Sequence, residues 1–119
     1  MLNRVEIIGR LTENPRSGGN PPNNYCFITV AVNSYYKDRE SGEKKVKSEF
    51  IPVSLFGNIA GLVSRYCTKG TKVYVDGSIV VRNLNTNGVR VAKMEIHGKS
   101  VIFLDKLLET PDNDLPMEE

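Results

Sequence analysis

The sequence predicts an all-β domain with a single short helix, its strands rolled into a small closed barrel. Three observations carry that prediction. Apolar and polar residues alternate with period two in five separate segments, as they do where successive side chains point to opposite faces of a sheet. Residues 58–66 alone switch to the i, i+3, i+4, i+7 spacing of an amphipathic helix, and they lie between the third and fourth of those segments. Gly9 sits inside the first strand, where a barrel wall needs a bend or a bulge.

Asn3 to Leu11 is the first strand, with Val5, Ile7 and Leu11 on one face and Arg4, Glu6, Ile8 and Arg10 on the other. Residues 13–24 hold three prolines, two glycines and four asparagines, a composition that excludes regular structure and reads as a loop. Tyr25 to Asn33 is the second strand, with Ile28, Val30 and Val32 turned inward. Ser34 to Lys47 is polar and basic, has Ser41-Gly42 at its tip, and reads as a long mobile hairpin loop. Ser48 to Gly57 is the third strand. Its Ile51, Val53 and Leu55 form a core set, while Phe50, Pro52, Ser54 and Phe56 face the other way. Pro52 has no amide proton and therefore belongs at an edge or a bulge.

In the helix, Ile59, Leu62, Val63 and Tyr66 make the apolar stripe, Asn58 offers an N-cap, and Lys69-Gly70 supplies a basic end and a glycine stop. Thr71 to Arg82 is the fourth strand, with Val73, Val75 and Ile79 on one side. Residues 83–88 form a hairpin loop whose Asn87-Gly88 pair suits a turn with positive φ. Val89 to Leu104 is the fifth strand, interrupted around Gly98. Three strands, a helix and two strands is the order of the OB-fold, a five-stranded Greek-key barrel with its helix between strands 3 and 4. The domain is expected over residues 1–104, followed by a short, acidic, disordered C-terminal tail over residues 105–119.

Charged residues at 25% and hydrophobic ones at 39% are ordinary for a soluble domain, and no apolar run exceeds four residues. The N-terminus has charges where a signal peptide would begin its apolar region, so the expected location is cytoplasmic. Residues 1–104 carry 15 Lys and Arg against 8 Asp and Glu, whereas residues 105–119 carry one Lys against 6 acids. A basic body with an acidic tail fits a domain that binds a polyanion and a separate interaction tail. Cys26 and Cys67 are too few for a disulfide framework or a structural zinc site, and both read as reduced, packed thiols. His97 is the only histidine. There is no glycine-rich phosphate loop, no paired acids of nuclease type, and no serine or cysteine with an evident base. The reading is therefore non-enzymatic, with no cofactor, no metal and no membrane partner.

Several stretches go beyond pattern. Met1-Leu2-Asn3-Arg4-Val5 with Gly9-Arg10-Leu11-Thr12, then Phe27 to Asn33, then Ser48-Glu49-Phe50 with Val53 to Gly57, then Tyr66 with Lys69-Gly70 and Val73 to Gly77, follow one another in register. Together they resemble bacterial and phage-type single-stranded DNA-binding proteins over residues 1–104. The resemblance implies an OB barrel that assembles as a homotetramer or homodimer, pairing through the first strand. It also implies a role in coating single-stranded DNA during replication, recombination or repair.

Three of the family's four main base-stacking positions are aromatic here: Tyr36, by alignment on Ser41-Gly42-Glu43, and Phe50 and Phe56. The fourth, usually aromatic, is Leu84. Tyr25, Tyr66 and Tyr74 are assigned to structure. In the tail, Asp112, Asp114, Leu115 and Pro116 resemble the family's partner-recruiting tip, but the chain ends in Met117-Glu118-Glu119 rather than a phenylalanine. The short tail is closer to phage-borne or accessory members, in which case the location is the host's cytoplasm.

Aromatic faces stack any base, and basic side chains neutralise phosphates. The phosphate candidates are Arg4, Arg10, Lys37, Lys45, Lys47, Lys72, Arg82, Arg90 and Lys93. The competing reading is an OB-fold primosomal or accessory module that bridges other proteins and need not keep the aromatics and basic loops. An oligosaccharide-binding domain is a third reading, without the export signal common in that class.

Overall fold

In the computed structural model, which describes residues 1–105, the apolar sides of five long strands meet around one core. The elements are β1 (Val5–Leu11), β2 (Arg16–Gly18), β3 (Tyr25–Lys37), β4 (Lys44–Phe56), α1 (Asn58–Tyr66), β5 (Lys72–Thr86) and β6 (Val89–Phe103). The sheet runs β1-β5-β6-β4-β3-β2, and a further pairing of β1 with β3 closes it into a barrel. All neighbours are antiparallel except β4 and β6, which meet in parallel at Val53↔Ile96 and Ser54↔His97.

Closure depends on Gly9. Strand β1 follows β5 from Val5↔Gly77 to Arg10↔Lys72 and meets β3 at Arg10↔Ala31 and Leu11↔Val30. A Cβ on Gly9 would stand 2.2 Å from the Ala31 carbonyl oxygen and 2.7 Å from Val30 Cγ1, so only glycine lets the two backbones come this close. The bend expected from sequence is this crossover. The core comprises Leu11, Ile28, Val30, Val53, Leu55, Val63, Val73, Val75 and Ile96, with Ala60, Cys26 and Cys67 filling gaps. Each large aliphatic side chain buried there contributes roughly 1.5–3 kcal/mol. Both cysteines are buried, and burial pushes the Cys26 thiol up.

Several local expectations are corrected. Residues 13–24 are not wholly irregular, because Arg16–Gly18 pairs with β3 as Arg16↔Phe27, Ser17↔Cys26 and Gly18↔Tyr25. Ser34 to Lys47 is not a long loop: the β3–β4 ladder continues through Ser34↔Lys47 to Lys37↔Lys44, leaving a turn over residues 38–43. Likewise β5 and β6 pair as far as Thr86↔Val89, and the loop shrinks to Asn87 (φ 52°) and Gly88 (φ 79°). The helix N-cap is Gly57, at φ 74°, rather than Asn58, and no side chain caps it. The helix ends at Cys67, whose N–H donates to the Val63 carbonyl, three residues before Gly70. Of the expected stripe, Val63 is buried and Ile59 and Tyr66 are half-buried, but Leu62 is exposed and Ala60 is buried in its stead. Ile79 is also exposed rather than in the core, because it lines the open cleft between β4 and the β5–β6 hairpin.

Other expectations match. Pro52 faces Thr29, and the parallel ladder on the other side of β4 covers only Val53 and Ser54, so Pro52 lies where that edge is open. The break near Gly98 is a bulge: Asp76 pairs with Ser100 and Gly77 with Gly98, leaving Lys99 unmatched. The bulge keeps both Val101 and Ile96 turned inward. Asp105, counted with the tail from sequence, is tied to the barrel, accepting from Arg10 Nη1 at 3.0 Å and from the Lys72 N–H at 2.9 Å. The remaining tail residues, including Asp112, Asp114, Leu115 and Pro116, lie outside the described residues.

Candidate functional site

Because side chains alternate along paired strands, register alone sorts the candidates by face. Phe50 and Phe56 lie on the outward face of β4 and are 65% and 44% exposed, while Ser54 between them is buried. Six residues of extended chain put the two rings about 20 Å apart, so they serve separate positions. Phe50 borders an open apolar cleft of about 310 Å3 between β4 and the β5–β6 hairpin, lined also by Ile51, Ile79, Met94 and Ile96. Phe56 meets the His97 ring edge-on, with centroids 5.1 Å apart.

The outward face continues onto β3. Tyr25 stands opposite Phe56, Phe27 opposite Ser54 and Tyr35 opposite Val46. Leu84, Arg82 and Lys93 lie on the outward side of the β5–β6 hairpin, in phase with Ser78↔His97. Lys37 shares the face of Tyr35. Tyr36, placed in a loop by the sequence reading, is a strand residue opposite Lys45, on the reverse face of the β3–β4 hairpin together with Lys47. Arg90 is likewise on the reverse face of its hairpin. Register therefore puts Phe50, Phe56, Leu84, Lys37, Arg82 and Lys93 on the outward face, and sets Tyr36, Lys45, Lys47 and Arg90 on the opposite side of the two hairpins. Both Tyr35 and Tyr36 line the cleft beside the β3–β4 tip.

The remaining basic candidates sit on the β1–β5 part of the wall among acids. Arg4 lies 2.7 Å from Glu6 and 3.4 Å from Asp76, and these neighbours raise its pKa, the Glu6 hydrogen bond first. Tyr74 donates to the same Glu6 carboxylate. Arg10 pairs with Asp105 and donates to the Gly70 carbonyl, and Lys72 stands opposite it. Elsewhere, Lys45 contacts Asp38 and Lys47 contacts Glu49, both at 3.4 Å. Arg82 Nε is 3.1 Å from Glu95 Oε2, an ion pair whose angle does not make a hydrogen bond. Lys37, Arg90 and Lys93 form no ion pair among the described residues.

Four rings without a binding role in the sequence reading also lie on the outward face: Tyr25, which it assigns to structure, Phe27, Tyr35, and His97, which it reads as an ordinary strand residue. The signal for the first two was present, since Cys26, Ile28 and Val30 on the core side put Tyr25 and Phe27 on the other. His97 was not recoverable in this way, because the bulge at Lys99 resets the phase of β6. Among the described residues no three His, Cys, Asp or Glu side chains gather as a metal site, and no helix is long and apolar enough to cross a membrane.

Comparison with known proteins gives concordant matches. The sequence model of the single-strand binding protein family matches residues 2–104. A protein of Clostridium acetobutylicum named single-stranded DNA-binding protein 1 is 36% identical over 107 residues, covering 87% of this chain and 94% of the relative. Single-stranded DNA-binding protein 2 of Staphylococcus aureus is 37% identical over 107 residues, covering 88% and 74%. Among solved structures, the Plasmodium falciparum SSB in complex with ssDNA superposes with a TM-score of 0.76 at 29% identity, over 88% of this chain and 96% of that one. The small single-stranded DNA-binding protein of Streptomyces coelicolor shares the fold, with a TM-score of 0.71 at 18% identity over 87% and 95%.

Proposed function

The chain belongs to the single-strand binding protein family, and from that premise we propose that it binds single-stranded DNA, without catalysis and without strong sequence preference. The observation that carries the proposal is the placement of Phe50 and Phe56: large rings, well exposed, on a sheet face that the core does not use. A soluble domain rarely presents such rings without a flat partner for them. An unstacked base on an aromatic face contributes roughly 1–3 kcal/mol whatever its identity. Lys37, Arg82 and Lys93 on the same side supply phosphate partners, and Leu84 contributes apolar contact where stacking is absent. Tyr36 and Lys45 join them when the strand wraps around the β3–β4 hairpin.

The same reading covers assembly and context. Strand β1 pairs with β5 along its length but with β3 only at Arg10 and Leu11, so the opposite edge of residues 5–9 is open to a second copy. The proposal includes a homodimer or homotetramer formed there, a cytoplasmic role in replication, recombination or repair, and recruitment of proteins of those processes through Asp112, Asp114, Leu115 and Pro116.

The test is a titration followed by tyrosine fluorescence, the chain having five tyrosines and no tryptophan. Oligo-dT is expected to quench the signal at low salt with an affinity well below micromolar Kd, and duplex DNA to bind far more weakly. Micromolar or poorer binding of oligo-dT, or equal binding of duplex, would overturn the assignment.

A further inference from the structure

Two of the outward rings, Tyr25 and Phe27, form a structure of their own. Tyr25 and Phe27 are exposed, at 39% and 37%, next to strand residues that are fully buried. Their ring centroids are 5.2 Å apart and the planes are tilted by 36°, so they form one continuous floor. Gly18 fixes how that floor lies. A Cβ there would stand 2.3 Å from the Tyr25 hydroxyl oxygen and 2.6 Å from Cζ, so the ring lies down over β2 at that glycine. One face of the Tyr25 ring is thus seated on β2 and the other is left outward.

The floor joins the surface already described on one side and cations on the other. Tyr25 is the direct cross-strand partner of Phe56. Arg16 is the direct partner of Phe27 on β2, its side chain 73% exposed and its ion pair with Glu13 loose, at 3.9 Å. Beyond Tyr25 a cleft of about 290 Å3 separates β2 from α1, lined by Ser17, Asn24, Ser64 and Arg65. Its walls are pinned, since Asn24 Nδ2 donates to the Gly57 carbonyl at 2.8 Å and Ser64 Oγ donates to Ser17 Oγ at 2.9 Å. Aromatic area flanked on one side by a well-exposed guanidinium and on the other by a polar cleft with a second one suits a base with a phosphate on either side.

We propose that Tyr25 and Phe27 form an additional base-binding subsite, with Arg16 and Arg65 holding the phosphates on either side, so that the bound strand continues past Phe56 and leaves the domain over β2 toward α1. The occupant is a segment of the same single strand, argued from continuity with Phe56 and from charge. This rests on the single-stranded DNA reading and names where the strand goes after the main platform. It also offsets Leu84: stacking area missing at the β5–β6 hairpin is present at the other edge of the sheet.

The experiment is a length series of oligo-dT titrated into the full chain and into Phe27→Leu, Tyr25→Leu, Arg16→Gln and Phe56→Ala. Leucine keeps apolar cover over Gly18 and Ser54 while removing the flat face. The expected result is that Phe56→Ala weakens binding at every length. Phe27→Leu and Tyr25→Leu should match the parent on the shortest oligonucleotides that bind and fall roughly 5- to 100-fold behind it on longer ones. Arg16→Gln, which disturbs no packing, should lower the salt slope by about 0.7 on the longer ones alone. As a second measurement, long oligonucleotides with 5-iodouracil at either end should cross-link from one end to Tyr25 or Phe27. If the parent fails to bind any length, the underlying reading fails. If the parent binds while Arg16→Gln and both leucine variants keep its affinity at every length, or lose it equally at every length, the subsite alone is overturned.

Discussion

Phe56 is the side chain at which a contribution to the fold and the proposed contribution to binding are most directly separable. Its neighbours Val53 and Leu55 are buried, whereas Phe56 itself stands opposite Tyr25 in the ladder and packs against the His97 ring in a T-shaped arrangement. A cross-strand aromatic contact of this kind contributes about 0.2–1 kcal/mol to the fold, against roughly 1–3 kcal/mol for a stacked base. Phe56→Ala is therefore expected to weaken oligo-dT binding about 5- to 100-fold while thermal melting changes by a few degrees at most. A variant that fails to fold would make Phe56 a structural residue and remove it from the site. Phe50 and Phe56 were legible in the sequence because the strand around them alternates strictly, and a ring opposite Ile51, Val53 and Leu55 needs a reason to be there. Tyr25 and Phe27 obey the same alternation, but outward facing alone does not separate a binding ring from one that packs on its own sheet, and Tyr25 reads as structural. Tyr36 was legible only by alignment, and its facing depends on a register that no local pattern reveals.

At the scale of elements, the β3–β4 hairpin is where sequence and structure part most clearly, and the reason is physical. Beyond Asn33 and before Ser48 both faces of the ladder meet solvent, so no face needs to be apolar and the period-two signal vanishes. Strand continues there because an established ladder is extended, and its turn is locally well specified. Asp38 accepts from the Ser41 hydroxyl at 2.9 Å and from the Glu40 N–H at 3.4 Å, with Lys45 beside it, while Gly42 takes the positive φ. The Ser41 hydrogen bond first, then the Glu40 N–H, hold the Asp38 carboxyl below its ordinary range. A carboxylate whose pKa is lower folded than unfolded contributes fully above the unfolded value and loses that contribution as pH falls through the folded one. The turn should therefore be unchanged from neutral pH down to about 4 and open only below the ordinary aspartate range. Amide exchange at Gly42 and Glu43 is the measurement, and Asp38→Asn should remove the acid transition. Opening between about pH 5 and 7 would mean that another group controls the turn. The brief β2 strand was hidden for a related reason: prolines and glycines dominate its loop, and only the pairing of Arg16, Ser17 and Gly18 with β3 makes it a strand.

For the whole molecule, the order of the five barrel strands and the helix and the excess of positive charge were readable in the chain, but the distribution of that charge was not. Acids far apart in sequence are brought against the basic residues of the β1–β5 wall: Asp76 reaches Arg4 and Asp105 reaches Arg10. Those arginines are already neutralised, so a count of basic residues overstates the field a polyanion meets. On the aromatic side Lys37 and Lys93 form no ion pair among the described residues and Arg82 shares Glu95. Each phosphate neutralised on a single strand lowers the slope of log K against log salt by about 0.7, so three contacts give a slope of about −2. Fluorescence titration of one protomer with a short oligo-dT between about 50 and 200 mM salt should return that value. Lys37→Gln or Lys93→Gln should each move it toward zero by about 0.7, whereas Arg4→Gln and Arg10→Gln should leave it unchanged. A parent slope of about −5 or steeper would require the wall arginines to exchange Glu6, Asp76 and Asp105 for phosphates, and the strand would then cross β1 and β5 as well as the aromatic face.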